Sequence, residues 1–250
     1  MKVAIIGYGK MGHEIEQVLL QRGHSVALII DQNNASDLCA EKLAGVDVAI
    51  EFTTPTTAYT NVRTCIECGT PVVSGTTGWH DKLEELQTLC REKDSTMIWS
   101  SNYSLGVNIT FRLNRYLAEL MNRFDAYNVD IEEIHHTQKK DAPSGTAITL
   151  AEGILENLDR KANWVMGDLT NPDGSVTEGA APKDNELKID AIRRDEVPGI
   201  HTVTYNSPAD TITITHDAHN RSGFALGAVL AAEYVKDHSG MLGMGNLFDF

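Results

Sequence analysis

The sequence lacks a long hydrophobic run and has little positive charge. No apolar segment approaches the roughly 20 residues that a membrane-spanning helix needs, and the apolar stretch at residues 3–6 is too short for a signal peptide. Lysine and arginine number 21 against 35 aspartate and glutamate residues, which gives a net charge of −14. Such a surface repels a phosphate backbone. We therefore expect a cytoplasmic protein that binds neither membranes nor nucleic acid.

Cysteine is also scarce, with four residues in a chain of 250. Cys65 and Cys68 form a single C-x-x-C inside a predicted helix, without a second pair or a histidine pair. Zinc and thioredoxin-like sites need such partners, so we interpret the cysteines as reduced thiols. The remaining composition, 42% hydrophobic and 22% charged, is typical of a globular chain.

The first hundred residues alternate short apolar segments with helical ones. Near-continuous apolar strands separated by helices predict a parallel sheet that is covered on both faces. The fold prediction is therefore α/β, with an N-terminal Rossmann-type sheet. The predicted strands are 3–6, 25–30, 46–52, 71–74 and 96–100, and the predicted helices are 11–22, 58–67 and 81–93.

The pattern changes after about Tyr103 and predicts a second, α+β domain. Its expected elements are helices at 108–123 and 145–158, a half-exposed strand at 129–134, a long loop at 167–186 and a hairpin of 201–205 with 211–215. A helix at 222–236 and an apolar tail at 240–250 are expected to return to the first domain. We divide the chain into domains 1–103 and 104–218 and a returning segment, 219–250.

A G-x-G-x-x-G motif follows the first strand directly and opens the first helix. The first glycine permits a tight turn, the second lets the backbone approach a pyrophosphate, and the third allows close packing of the helix on the strand. Free N–H groups at the helix start then suit phosphate oxygens. We interpret the motif as a dinucleotide-binding turn. It comprises Gly7, Tyr8, Gly9, Lys10, Met11 and Gly12.

Asp31 ends the second predicted strand, where an acid can accept both hydroxyls of the adenosine ribose. Gln32 follows it and offers no cation to a 2′-phosphate, although Lys10 could contribute one. The sequence therefore favours NADH, with NADPH as the alternative. The competing interpretation is that Asp31 is only a turn or capping residue.

Two polar segments follow the fourth and fifth predicted strands. Ligands of open α/β sheets sit outside the carboxyl ends of the strands, so we expect both segments to contact the nicotinamide half of the cofactor. Either segment could instead be an ordinary polar loop. The candidate residues are Gly75, Thr76 and Thr77 in the first segment, and Ser100, Ser101, Asn102 and Tyr103 in the second.

The densest chemistry lies in residues 133–147. His135 and His136 end a strand, and Lys139 follows closely. Histidine changes protonation near neutral pH and can act as a general acid, while lysine supplies a cation or a proton. Because adjacent histidines point to opposite faces of a strand and no further ligands show metal-site spacing, we predict no metal.

The same stretch then opens a helix. Ser144 is a candidate N-cap, and the backbone N–H groups of Gly145 and Thr146 would lack helical partners. Such donors suit a substrate carboxylate.

Residues 133–147 read E-x-H-H-x-x-K-x-D-A-P-S-G-T-A, which resembles the signature of dihydrodipicolinate reductases. Similarity to that family extends over most of the chain. It implies a homotetramer with an N-terminal Rossmann domain and a C-terminal substrate and tetramerisation domain. It also implies NAD(P)H-dependent reduction of the cyclic imine dicarboxylate made by dihydrodipicolinate synthase to tetrahydrodipicolinate, a step of lysine and diaminopimelate biosynthesis.

The resemblance also implies roles for individual residues. His135 would be the proton donor or acceptor, and Lys139 the second proton donor. His136, Gly145 and Thr146 would hold the substrate carboxylates.

Three features depart from the family pattern. One residue fewer separates the first two glycines, Gln32 stands where a basic residue is common, and residues 193–200 diverge. We expect that last segment to bear on the interface more than on the reaction. Two alternatives stay open, a different Rossmann oxidoreductase such as a sugar or semialdehyde dehydrogenase, and a non-catalytic nucleotide sensor. The first leaves residues 141–146 unexplained, and the second has no use for His135 with Lys139.

Overall fold

The computed structural model describes residues 1–248, apart from the side chains of His80 and Phe248. It divides the chain into two units, the first formed by residues 1–105 and 221 onward, the second by residues 106–220. Asp249 and Phe250, which end the predicted apolar tail, lie outside the described residues. Within residues 1–248, no helix has both the length and the apolar character that crossing a membrane requires.

In chain order, the helices and strands are β1 (Lys2–Ile6), α1 (Lys10–Gln21), β2 (Ser25–Ile30), α2 (Ala40–Leu43), β3 (Val48–Glu51), α3 (Pro55–Glu67), β4 (Val72–Ser74), α4 (Leu83–Glu92), β5 (Thr96–Trp99), α5 (Leu105–Met121), β6 (Asn128–His135), α6 (Gly145–Leu155), β7 (Asn163–Thr170), β8 (Val176–Thr177), β9 (Glu186–Arg193), β10 (Ile200–Asn206), β11 (Thr211–Asp217), α7 (Ser222–Val235) and β12 (Gly240–Leu242).

The first unit is built on a six-stranded sheet in the order β2-β1-β3-β4-β5-β12, and every neighbouring pair is parallel. Its strands are apolar because both faces are covered. Helices α1 and α7 pack on one face through residues such as Ile15 and Val229. Helices α3 and α4 pack on the other through residues such as Ile66 and Leu86. The predicted parallel α/β sheet is confirmed.

The second unit has a mixed sheet in the order β11-β10-β6-β9-β7-β8. The predicted hairpin is confirmed, since β10 and β11 pair antiparallel from Ile200–Asp217 to Asn206–Thr211. Strand β6 alternates buried and more exposed side chains. Its buried face carries Val129 and Ile131, which pack with Leu150 and Ile154 of α6.

The prediction of a long loop at residues 167–186 is wrong for the first part of that segment. Strand β7 continues to Thr170, and β8 follows within the segment. Strand β9, which starts where the loop was to end, was not predicted either. It alternates buried Leu187 and Ile189 with charged residues, and Lys188 pairs with Asp190 at 2.7 Å. Such alternation is the sequence signature of a half-buried strand, so a local signal for β9 was present.

Candidate active site

The glycine turn joins β1 to α1 by close backbone packing. Gly7 has a φ of 95°, and a Cβ there would overlap the carbonyl oxygen of Phe52. A Cβ on Gly12 would overlap the carbonyl oxygen of Gly7. Gly9 caps α1 without a side-chain hydrogen bond, and a Cβ there would meet no atom of the described residues within 4 Å. The turn thus leaves open space beside uncapped helix N–H groups.

A cavity of about 380 Å³ lies at the carboxyl ends of β1, β2 and β3. Strand order reverses around β1, and such a switch point is where open α/β sheets bind ligands. Gly7, Tyr8, Gly9 and Asp31 all line this cavity. The structure therefore brings the glycine turn and the predicted ribose acid together.

Other residues of the predicted cofactor set do not line the cavity. Lys10 begins α1 and is exposed, and Met11 packs against the core of the first unit. Gly75 lies against the ring of Phe52, where a Cβ would overlap it.

A buried carboxylate, Glu51, organises the same edge of the sheet and was missed by sequence reasoning. Ser74 Oγ donates to it at 2.5 Å and Thr76 Oγ1 at 2.8 Å, and the backbone and hydroxyl of Thr53 donate as well. Burial raises the pKa of Glu51, and these hydrogen bonds oppose the rise. Thr76 is therefore a structural donor, while Thr77 is exposed.

The segment after β5 is also partly structural. The Tyr103 side chain is buried, and its hydroxyl donates to the carbonyl oxygen of Ser74 at 2.8 Å. Ser100 Oγ donates to the carbonyl oxygen of Asn102 at 3.0 Å, and Ser101 is exposed. A cofactor contact from Tyr103 would have to come from its backbone.

In the second unit, an acid and two histidines converge on the end of β6. Glu133 and His135 point to the same face of that strand, and the pairing of β6 with β10 sets His201 opposite Glu133. Glu133 Oε2 lies 2.7 Å from His135 Nδ1, and the two imidazole centroids are 5.0 Å apart. All three side chains are buried. The first contact is a close approach rather than an aligned hydrogen bond.

Glu133 is ionised although it is fully buried. Its Oε1 accepts from Arg193 Nη2 at 3.0 Å and from the backbone N–H of Ser144 at 3.2 Å. Burial alone would raise its pKa, but the contacts with His135, Ser144 and Arg193 outweigh burial and lower the pKa of Glu133 to about 2.

His201 is neutral. Burial, and next the neighbouring His135, lower the pKa of His201 to about 3, so its 4.0 Å approach to Glu133 is not an ion pair. Ser144 Oγ accepts from the backbone N–H of Ala147, as the predicted N-cap of α6, and lies 3.0 Å from His201 Nε2. The hydroxyl proton is therefore free to be donated to that nitrogen.

The divergent segment 193–200, expected to bear mainly on an interface, also contributes Arg193 to the cluster. The Arg193 side chain is 4% exposed, and it donates to the carbonyl oxygens of Lys139 at 3.3 Å and Asp141 at 2.7 Å. A Cβ on Gly199 would stand 3.0 Å from His135 Nε2. The segment thus shapes the site, because it returns beside β6 through pairing that local sequence does not reveal.

The other predicted residues of this unit lie around the same cluster. Lys139 Nζ pairs with Asp141 Oδ2 at 2.8 Å, and His136 follows β6 directly. Among the described residues, the backbone N–H groups of Gly145 and Thr146 have no acceptor, as expected for a first helical turn.

Three residues of the cluster are spaced as metal ligands could be, which the prediction of no metal did not consider. Ligand atoms of Glu133, His135 and His201 lie within 4.8 Å of one another, a spacing that an ion would accept. Arg193 already supplies the cation that balances Glu133. This arrangement favours an ion-pair network over a metal site.

The first unit has a glycine turn at a sheet switch point, and the second has a buried acid–histidine cluster at a helix start. These two features together are typical of a two-domain oxidoreductase. Family models described as "Dihydrodipicolinate reductase, N-terminus" and "Dihydrodipicolinate reductase, C-terminus" match residues 1–103 and 106–248. The chain belongs to the dihydrodipicolinate reductase family, which confirms the predicted resemblance.

Individual proteins agree with this assignment. The chain is 45% identical over 245 residues to a 4-hydroxy-tetrahydrodipicolinate reductase of Christiangramia forsetii, covering 98% of this chain and 96% of the relative. It is 34% identical to a reductase of the same name from Lawsonia intracellularis, covering 97% and 96%. A dipicolinate-bound dihydrodipicolinate reductase from Paenisporosarcina sp. TG-14 superposes with a TM-score of 0.77 over 97% of both chains, and at 23% identity it supports the fold alone.

Proposed function

We propose that this chain reduces 4-hydroxy-tetrahydrodipicolinate to tetrahydrodipicolinate with a nicotinamide cofactor, within lysine and diaminopimelate biosynthesis. The observation that carries the proposal is the buried Glu133–His135 pair beside the N-terminus of α6 in a member of this reductase family. The bound nicotinamide would supply the hydride. The chain's own residues would bind and orient the dicarboxylate and would donate or accept the proton.

His135 and Lys139 are the proposed proton-handling residues. With Nδ1 of His135 held against Glu133, Nε2 is the nitrogen left to exchange a proton, and Gly199 leaves space next to it. Lys139 is the second proposed donor, and Asp141 restrains its ammonium group at 2.8 Å.

The substrate carboxylates are proposed to bind at the start of α6. The N–H groups of Gly145 and Thr146 offer unpaired donors at the positive end of the helix, and His136 is the third proposed contact. The ligand of this site is therefore a small dicarboxylate.

The cofactor is proposed to bind in the cavity at the glycine turn. The open space at Gly9 and the uncapped N–H groups of α1 suit a pyrophosphate. Asp31 lines the same cavity beside Gln32, which favours NADH, with NADPH as the alternative.

We further propose a homotetramer. Helix α5 exposes Ile109, Leu113, Tyr116 and Leu120 at the spacing of one helical face, with Phe124 just beyond it. Contiguous exposed apolar side chains mark association surfaces, and light scattering at micromolar concentration would measure the mass. The cytoplasmic location stays a prediction from the sequence.

A spectrophotometric assay tests the reaction. Nicotinamide absorbance is followed after the protein receives freshly made dihydrodipicolinate synthase product. We expect His135→Gln and Lys139→Ala to lower kcat in a folded protein, and His136→Gln chiefly to raise KM. Wild-type turnover in both of the first two variants would contradict the assigned roles, and an inactive wild-type protein would contradict the function.

A further inference from the structure

Glu133 is a fully buried carboxylate whose two oxygens face different parts of the site. Its side chain is 0% exposed, and burial of an ion is unfavourable unless partners compensate it. The partners are divided between the oxygens, with His135 at Oε2 and both Arg193 and Ser144 at Oε1.

The Oε2 side fixes the imidazole of His135. The 2.7 Å contact with Nδ1 favours a proton on that nitrogen, and among the described residues neither atom has an aligned hydrogen-bond partner that competes with this contact. An acidic neighbour of this kind selects a tautomer and a ring orientation, as in hydrolase triads. It leaves Nε2 as the exchangeable nitrogen.

The Oε1 side fixes the start of α6. It accepts the backbone N–H of Ser144, the residue immediately before Gly145 and Thr146. It also accepts Arg193 Nη2, and the same nitrogen donates to the carbonyl oxygen of Asp141. One side chain therefore links the proton-handling histidine to the helix turn and to the loop that carries Lys139.

We propose that Glu133 is a positioning residue of the reduction, orienting His135 through Oε2 and the carboxylate-binding turn of α6 through Oε1. It acts through these groups and does not itself touch substrate. This inference rests on the proposed function. The charged or titratable groups around His135 are Glu133 on its own strand, Arg193 on β9, His201 on β10 and Lys139 on the connecting loop.

The principal test replaces the carboxylate with an amide, Glu133→Gln, and measures kcat, KM and their pH dependence. Glu132→Gln is the matched control, because Glu132 is the exposed neighbour on the same strand. We expect kcat to fall roughly tenfold or more, which is part of the 10²–10⁴ that a positioned acid–base group contributes, because His135 is mispositioned rather than removed. The pH profile of kcat/KM should also differ from that of the control, because the substitution removes a negative charge 2.7 Å from the proposed proton-handling imidazole.

A double-mutant cycle separates positioning from a merely structural role. If Glu133 acts through His135, adding Glu133→Gln to His135→Gln should lower kcat by much less than it does in the wild-type background. If the amide variant fails to fold, Glu133→Asp decides, since it keeps the charge but withdraws it from Nδ1 and should lower kcat at least about fivefold.

The inference is overturned if folded Glu133→Gln keeps the kcat and pH profile of Glu132→Gln, if its effect is undiminished when His135 is absent, or if Glu133→Asp has wild-type kcat. In each of these cases the wild-type protein and the Glu132→Gln control remain active. An inactive wild-type protein would instead remove the proposed function.

Discussion

Replacing Arg193 with methionine should destabilise the second unit strongly. The guanidinium lies 3.0 Å from Glu133 Oε1, and the two side chains are 4% and 0% exposed. At that separation, an effective dielectric constant of about 20 gives roughly 5–6 kcal/mol of attraction. Desolvation of both ions offsets part of it, and removing one partner of a buried pair typically costs about 3–5 kcal/mol. We therefore expect Arg193→Met to lower the free energy of unfolding by about that amount.

Urea unfolding followed by tryptophan fluorescence measures the effect, because one of the three tryptophans, Trp164, packs against the core of the second unit. Arg194→Met is the matched control, since Arg194 is 55% exposed and its contact with Asp195 is 3.6 Å. The double variant with Glu133→Gln should recover part of the loss, because no unpaired charge stays buried. A loss below about 1 kcal/mol in Arg193→Met, or no recovery in the double variant, would refute the reasoning.

Three further predictions concern the cofactor, acid stability and the C-terminal strand. Asp31→Ala should weaken NADH binding and narrow its preference over NADPH, because a like-charge contact with a 2′-phosphate disappears; unchanged Kd values for both cofactors would contradict this. The free energy of unfolding of the second unit should decrease as the pH drops below about 6.5. The reason is that the unfolded chain then binds a proton at His201, whereas in the folded protein the pKa of His201 is about 3. The free energy of unfolding should fall further between pH 4.5 and 2 as Glu133 is neutralised; a flat urea midpoint from pH 7 to 4 would count against the first expectation, and a flat midpoint from pH 4 to 2 against the second. Deleting residues 240–250 should lower the melting temperature and weaken cofactor binding, since β12 pairs with β5; an unchanged deletion variant would argue against this.

Much of the fold could be predicted from patterns of residues that are close together in the sequence. The apolar runs of β1 and β3 are contiguous in sequence, and their burial on both sides follows from composition. Ser144 caps α6 as predicted, because the cap, its acceptor role and the helix start lie within four residues. The hairpin of β10 and β11 is equally local.

The missed features depend on pairing between distant segments. Glu133, Arg193 and His201 meet only when β6 lies between β9 and β10, and no spacing along the chain encodes that register. Glu51 likewise gains its partners from two strands. Strand β9 is an exception, because its alternation of apolar and polar residues is a local strand signal that the prediction did not use.

The placement of β12 beside β5 has a consequence for the order of folding. Ile98 pairs with Leu242, so the first sheet is completed only across the whole sequence of the second unit, and closing so long a loop is entropically unfavourable. The second unit can shorten that loop, because its two ends meet when it folds, with Gly106 packed against His216. We therefore expect the inserted unit to fold first and strands β5 and β12 of the first sheet to gain protection last. Pulse-labelled hydrogen exchange during refolding would show β5 and β12 protected before β6 and β10 if this order is wrong.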